Sequence, residues 1–537
     1  MRTYICPKHL RQLPSDCRTF FVTMANWYLH PTGVSMGDNP PIRFNNSYAA
    51  INEAFARHQL PAGAPAPELV ELNSELAEYL NINSEWLASE EGLAMLAGNQ
   101  MPSGAEPVAT VYAGHQFGNY NPQLGDGRAL LLGEVIARDG RRYDLQLKGS
   151  GRTPYSRGGD GKSPLGPVVR EYIVSEAMHR LGVPSTRALA AVATGEQVLR
   201  DTGPLAGGIL CRVASSHLRI GTVQYFAAQR NIDALRALVD HVIQRHYPEC
   251  AQSEQPYLDV FDQILRAQAD LVSRWQALGF IHGVMNTDNM LLCGETIDYG
   301  PCAFMEEYHP GTVFSSIDQQ GRYAFGNQPA IAHWNLAQLA QAMLPLFAKP
   351  GEEDLKPAVE RVQPRFDAFN EVMTAAYRRR MAEKLGLSTC GDDDDQLYRD
   401  FLDLLATHQC DFTQSFRRLC DLTGEALPDQ QGNADIADIF EFSEAFAPWL
   451  ARWRDRLATD TLGDEQRYQQ MCRANPVFIP RNHLVEAAIQ AAYNGDLQPF
   501  HRLHQVLRAP FSYRPRDRDY ALSAQPGEQV TATFCGT

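Results

Sequence analysis

Residues 282–300, HGVMNTDNMLLCGETIDYG, gather the side chains best suited to chemistry. Asn289 and Asp298 stand nine positions apart across the apolar run MLLCGETI, which reads as a strand. An amide oxygen and a carboxylate so placed suit a hard divalent cation that takes its other ligands from phosphate and water. Asp288 adds a carboxylate beside Asn289, fit to accept a proton or to cap a helix. Upstream, RYDLQLKGSG alternates, putting Tyr143, Leu145 and Leu147 on one strand face and Asp144, Gln146 and Lys148 on the other. A lysine on the polar face of an inner strand can reach phosphate oxygens. Glu171, 23 residues later, lies on a helix from which it could pair with Lys148. Glu176 is its rival, and five residues leave the two about 140° apart around a helix. Only one can face the lysine.

Glycine and arginine surround that lysine. NPQLGDGRALLLGE brings Gly125, Gly127 and Arg128 to the start of a strand, and KGSGRTPYSRGGDGKSPLG packs glycines between Arg152, Arg157 and Lys162. Glycines let backbone N–H groups approach phosphate oxygens, and a guanidinium adds a forked donor. Either run alone reads as a flexible turn; both beside Lys148 point to an anion pocket. GGILCRVASSHLRIG contributes Arg212 and Arg219. Arg212 lies in an apolar strand, where an unpaired guanidinium is costly. It requires an anionic partner, either a structural carboxylate or a ligand phosphate.

Two kinds of scaffold must position these groups. Residues 46–100 read as helical, with a break at LPAGAPAPEL. From Val108 to about Ala228 short strands follow: ALLLGEVIA, RYDLQLKGS, GGILCRVAS and RIGTVQYFA. One helix interrupts them in PLGPVVREYIVSEAMHRLG, where Val168, Val169, Tyr172, Ile173 and Ala177 recur at helical spacing before Gly182 and Pro184. From about Asn231 the pattern is mostly helical, with amphipathic stretches at 257–279, 333–347, 365–385 and 482–508. The expected architecture is α+β, with a β-rich lobe over 46–228 and a helical lobe over 229–512. Residues 1–45 are expected to form a poorly ordered extension, and 513–537 a mobile tail that carries Cys535.

Composition narrows the partners. Lys plus Arg is 48 against 63 Asp plus Glu, a formal charge of −15, which argues against a general nucleic-acid or membrane-surface binder. Any nucleotide must be held by a local basic pocket. The 11 cysteines contain no CxxC pair, which argues against a zinc ribbon and for a reducing compartment. No apolar run approaches the ~20 residues of a membrane helix. The first segment carries Asp16 and lacks a long apolar stretch, unlike a secretory signal, and Met24 offers an alternative start. The expectation is a monomer without nucleic-acid or membrane partners, cytoplasmic in a bacterium or mitochondrial in a eukaryote.

A β-rich lobe with one helix, then a helical lobe whose first loops carry polar residues, is the order of protein kinases. Kinases place a catalytic Asp two residues after a His, a metal-binding Asn five residues further, and then a DFG Asp. His282, Gly283, Asn289 and Asp298-Tyr299-Gly300 fit that frame, but residue 284, the place of the base, is Val. The nearest carboxylate is Asp288.

The motifs NPQLGDGRA, QLKGSGRTPYSRGGDG, HGVMNTDNM, IDYG and GRYAFGNQPAIAHWNLAQLA go further. From FNNSYAAINEAF at 44–55 to the final FCGT, the chain closely resembles the selenoprotein O family of protein-kinase-like adenylyltransferases. The resemblance implies a two-lobed kinase fold that binds ATP flipped, so that AMP moves to a Ser, Thr or Tyr hydroxyl of a protein and pyrophosphate leaves. It implies that Gly125, Gly127, Arg128, Lys148, Asp160, Gly161, Arg212, Arg219 and Asp298 contact ATP, with Glu171 pairing Lys148. Asn289 and Asp298 would hold Mg²⁺ or Mn²⁺, and Asp288 would be the base. It also implies a redox-active Cys535, which some members pair with a cysteine in the loop after the DFG-like motif. Here EEYHPGTVFSSIDQQG contains no cysteine, and Cys302 lies earlier in that loop. Two other readings stand beside this one: an ATP-dependent kinase of a protein or small molecule, and a non-catalytic ATP-binding scaffold, motivated by Val284.

Overall fold

The computed structural model describes residues 40–51, 53–423 and 438–534. Contacts divide the chain into Met1–Pro41 and Ile42–Thr537, and the second unit carries all the elements below. Its strands are β1 (Ala56–His58), β2 (Glu68–Leu72), β3 (Val108–Thr110), β4 (Gly114–Gln116), β5 (Asn119–Asn121), β6 (Ala129–Ile136), β7 (Arg142–Lys148), β8 (Ser163–Pro164), β9 (Arg187–Arg200) and β10 (Gly203–Ala214). An antiparallel sheet runs in the order β1-β3-β6-β7-β10-β9-β2, with β8 attached to β10. Strands β4 and β5 form a separate hairpin.

Strand β7 lies at the centre, and its alternation does what the sequence pattern demands. Leu145 and Leu147 are buried against short helices within 74–96, beside Leu76, Leu87 and Leu96. Lys148 sits opposite Ala129 and Leu210, and Gln146 opposite Arg212. Helix α1 (Leu165–Arg180) covers that other face. It is buried nearly all round because a second helical layer packs outside it: Val168, Tyr172 and Ile173 share a core with Val485, Ile489 and Phe500.

The remaining helices are α2 (Ile220–Ala228), α3 (Ile232–His246), α4 (Pro256–Leu278), α5 (Gln328–Phe347), α6 (Lys356–Asp367), α7 (Phe369–Leu385), α8 (Asp395–Thr407), α9 (Phe412–Leu419), α10 (Ala447–Ala458), α11 (Asp464–Ala474), α12 (Asn482–Tyr493) and α13 (Gln498–Leu507). Helix α4 anchors the largest core through Phe261, Leu265 and Trp275. It stops at Gly279, whose φ of 71° is the left-handed C-cap that a side chain would strain. Directly after it, β11 (Phe280–Ile281) pairs with β12 (Ala303–Phe304), closing the base of an excursion over residues 282–302.

Several expectations are corrected. Within 46–100 the chain forms β1 and β2 as well as short helices, because Glu68–Leu72 pairs with β9. RIGTVQYFA is not a strand but the start of α2, where Thr222 Oγ1 accepts the Arg219 N–H at 3.1 Å and so fixes the first turn. MLLCGETI is not a strand either: Leu291 and Thr296 make isolated bridges to Arg219 and Ser185, with a turn at left-handed Gly294 between them. The stretch 365–385 spans the end of α6 and all of α7, and 482–508 holds two helices separated at left-handed Gly495. Ile42 is buried and Phe44 bridges Val135, so residues 42–45 belong to the folded unit. The described part of the tail is held in place. Asp517 is buried against Arg502 and Arg514, and Thr533 Oγ1 donates to the Pro301 carbonyl at 2.7 Å. Cys535 lies outside the described residues. No disulfide joins two described cysteines, and no described helix is long and apolar enough to cross a membrane.

Candidate active site

A cleft of about 700 Å³ lies between the inner strands and the 282–302 excursion. Gly125, Gly127, Arg128, Lys148, Asp160, Gly161, Arg212, Arg219, Asp288, Asn289 and Asp298 all line it. Glu171 stands directly behind, in a small side cavity that it shares with Lys148.

The floor is a charge cluster centred on Asp298. Lys148 Nζ lies 2.6 Å from Glu171 and 2.8 Å from Asp298. Arg212 Nη1 reaches Glu171 at 3.0 Å and Asp298 at 2.7 Å, while its Nε and Nη2 donate to Gln146 Oε1. Arg219 Nη1 meets the other Asp298 oxygen at 2.8 Å and also the Asp288 carbonyl. Its guanidinium stacks 4.7 Å from the Tyr112 ring centroid. Arg212, itself 1% exposed, thus finds the partner it requires in a pair of carboxylates. Lys148, Arg212 and Arg219 hold the carboxyl of the half-buried Asp298 well below its ordinary range, against the desolvation that raises it. Three cations face two carboxylates, leaving one positive charge in excess. Asp298 itself adopts φ 63°, a left-handed conformation uncommon outside glycine. Glu176, on the opposite side of α1, instead clamps Arg187 and Asn73.

The loop above the floor has the reverse character. Val284, in the kinase base position, is buried among apolar neighbours. His282 acts as a strut: its Nε2 bonds the Ile297 carbonyl at 2.9 Å and its Nδ1 takes the Val284 N–H at 3.3 Å. Asn335 holds the Met285 carbonyl, and Tyr323 OH donates to Asn286. Asp288 is 7% exposed, and its Oδ1 has no hydrogen-bond partner. Burial raises its carboxyl to about 6, with Arg219 opposing the rise. A buried carboxylate with a bare oxygen at a cleft wall is built to take a proton.

The glycine runs serve packing as well as access. A Cβ on Gly125 would sit 2.5 Å from the Tyr155 ring, and one on Gly161 would sit 2.1 Å from the Gly151 carbonyl. Asp160 is exposed and paired with Arg200 at 2.8 Å, and it also accepts the Lys162 N–H.

The sequence reading missed the β4–β5 hairpin. Gln116 donates to Asp288 Oδ2 at 3.2 Å, and the His115 N–H bonds Thr287 Oγ1 at 2.7 Å. The His115 ring packs edge-on against Trp334, over which Arg322 lies. The strand comes so close that a Cβ on Gly114 would meet Asp288 Oδ1 at 2.5 Å. The signal was present in GHQFGN, whose glycines mark a hairpin next to the phosphate-type runs. Arg200 was missed as well; nothing in β9 marks it apart from an ordinary strand-end arginine.

No group of three or more His, Cys, Asp or Glu residues suited to a metal occurs among the described residues. The oxygen donors present, Asn289 and Asp298, still fit a divalent cation that draws most of its ligands from a triphosphate. Asn289 donates its amide N–H to the Val284 carbonyl at 2.9 Å, which fixes the side chain and leaves its oxygen as acceptor.

A family profile described as protein adenylyltransferase SelO matches residues 41–508. The protein nucleotidyltransferase YdiU of Nitrobacter hamburgensis is 52% identical over 503 residues, covering 94% of this chain and 98% of the relative. The same-named proteins of Rhodopseudomonas palustris and Bradyrhizobium diazoefficiens are 53% and 52% identical over 495 residues, each covering 92% of this chain and 99% of the relative. A match that spans the inner strands, the cleft and most of the helical region places this chain in the protein adenylyltransferase SelO family, with the kinase-like α+β fold of that family.

Proposed function

We propose that the protein transfers AMP from ATP to Ser, Thr or Tyr hydroxyls of other proteins. Lys148, Arg212 and Arg219 hold the β- and γ-phosphates at the floor, exchanging part of their hold on Asp298 for phosphate oxygens. The glycine runs at 125–127 and 158–161, with Arg128, support the rest of the nucleotide. Asn289 and Asp298 hold the divalent metal, Mg²⁺ or Mn²⁺, which neutralises triphosphate charge when bound. The acceptor hydroxyl attacks the α-phosphorus, its proton passes to the Asp288 carboxylate, and the bond to the β-phosphate breaks. Pyrophosphate leaves with its charge held by the floor cations.

The observation that carries this reading is the division of labour across the cleft. The surplus cation lies at the closed floor, and the one fully buried carboxylate oxygen without a hydrogen-bond partner, among the described residues of the cleft, lies on the wall at Asp288. Position 284, where a kinase keeps its base for γ-transfer, is apolar. The test supplies ATP labelled at the α- or the γ-phosphate, with Mg²⁺ or Mn²⁺ and protein acceptors. α-Label should enter protein while γ-label appears in pyrophosphate. Entry of γ-label alone would make the enzyme a kinase, and entry of neither would make it a scaffold.

A further inference from the structure

We propose that Gln116 is a positioning residue for AMP transfer, aiming the Asp288 carboxylate at the acceptor hydroxyl. The inference rests on the reading of Asp288 as the base and adds the group that orients it.

The β4–β5 hairpin is built for this placement. Its turn is Phe117–Gly118, at φ 51° and 83°, the left-handed pair of a tight two-residue loop. Alternation along β4 puts Gly114 and Gln116 on one face and His115 on the other. Both residues of the first face meet Asp288. Gly114 backs onto Oδ1, where a Cβ would lie 2.5 Å away, and the Gln116 amide donates to Oδ2 at 3.2 Å. Among the described residues, no other side chain gives that carboxylate a hydrogen bond. It is thus set between a strand without a side chain and one amide.

The loop itself does not need that amide. Thr287 is held in a closed ring of bonds: the His115 N–H donates to Thr287 Oγ1, Thr287 Oγ1 donates to Gln224 Oε1 at 2.7 Å, and Gln224 Nε2 lies 2.8 Å from His115 Nδ1. Asn286 Oδ1 accepts the Phe117 N–H at 3.1 Å and the Tyr323 hydroxyl at 2.6 Å. Asn289 and Asn335 brace the carbonyls of Val284 and Met285. With the backbone secured on both sides, what the Gln116 amide decides is the direction of the Asp288 side chain. Gln116 is half-buried and lines the cleft, so water can replace its amide and the fold is spared when it is lost. Asp288 would then turn about its own side-chain bonds, and fewer encounters with the hydroxyl would be productive.

The experiment compares the full-length wild type with Gln116→Leu, Asp288→Asn and the double variant. It uses α-labelled ATP, Mg²⁺ or Mn²⁺, and a heat-treated, desalted bacterial extract as the source of acceptor proteins. Gln116→Leu removes the amide at nearly unchanged volume. It should lower kcat by about tenfold to a hundredfold, with KM for ATP and the melting temperature unchanged. In the Asp288→Asn background the same change should cost less than about twofold, because no base is left to aim. Asp288→Asn at the wild-type rate would sink the base reading and this proposal with it. A slow Asp288→Asn beside a Gln116→Leu of wild-type rate would sink this proposal alone. So would a full further loss in the double variant, or a raised KM for ATP with a lowered melting temperature in place of the kcat effect.

Discussion

The floor and the wall of the cleft each hold one aspartate of the same loop, and they treat it in opposite ways. Asp298 is surrounded by Lys148, Arg212 and Arg219, and its carboxyl is held in the ionised form. Asp288 receives one side-chain hydrogen bond from Gln116, keeps one oxygen bare, and has its pKa raised to about 6. The difference teaches where stability and reactivity are kept apart. A saturated carboxylate holds cations in place for a polyanion but has little basicity left. A bare one is ready to accept a proton, at a cost to the fold.

That contrast breaks most sharply at Asp298. Asp298→Ala should abolish turnover and destabilise the ligand-free protein by about 3–5 kcal/mol, because it leaves buried cations without their anion. Pyrophosphate should restore much of the lost melting temperature in a thermal scan. If the variant melts like the wild type, Asp298 is not the electrostatic keystone of the floor. Asp288→Asn should lower kcat by about 10²–10⁴-fold while ATP affinity stays near wild type. Since burial penalises the ionised Asp288, folding stability from this group falls as pH rises through about 6. The Asn variant should therefore melt no lower than the wild type at pH 8, and a marked loss of stability would refute the contrast. The smallest effect is expected from Arg212→Lys, which keeps the charge but loses the fork to Gln146, Glu171 and Asp298. ATP binding should weaken by about tenfold, consistent with a loss of 1–2 kcal/mol. Unchanged affinity would assign Arg212 to structure alone.

What the sequence revealed follows the range of the forces involved. Alternation in RYDLQLK is a local property, so the face of Lys148 was legible, and helical spacing decided that Glu171 and Glu176 diverge. Which of the two meets the lysine needed the third dimension. Asn289, Asp298 and Asp288 were legible because a loop pinned at both ends by β11 and β12 keeps its order in sequence. Residues 220–228 were misread because Ile220, Val223 and Phe226 suit both a strand and a helix, and packing of α2 on α3 and α5 settles the matter. The contact between Gln116 and Asp288 crosses 172 residues, a separation at which no local pattern operates.

The packing of His115 on Trp334 has a consequence for how the enzyme can be watched. Of the five described tryptophans, Trp275, Trp449 and Trp453 are sealed in the interior and Trp86 packs partly exposed beside the short helices of 74–96, whereas Trp334 touches the strand that bonds Asp288 through Gln116. Its indole therefore contacts the neighbour of Gln116, the residue that bonds Asp288, with Arg322 over its face as a nearby charge. Any shift of the hairpin over bound nucleotide alters the polarity around that ring and with it the colour of its emission. The molecule thus carries an optical reporter beside the wall of its cleft, and stopped-flow fluorescence can follow occupancy without an added dye.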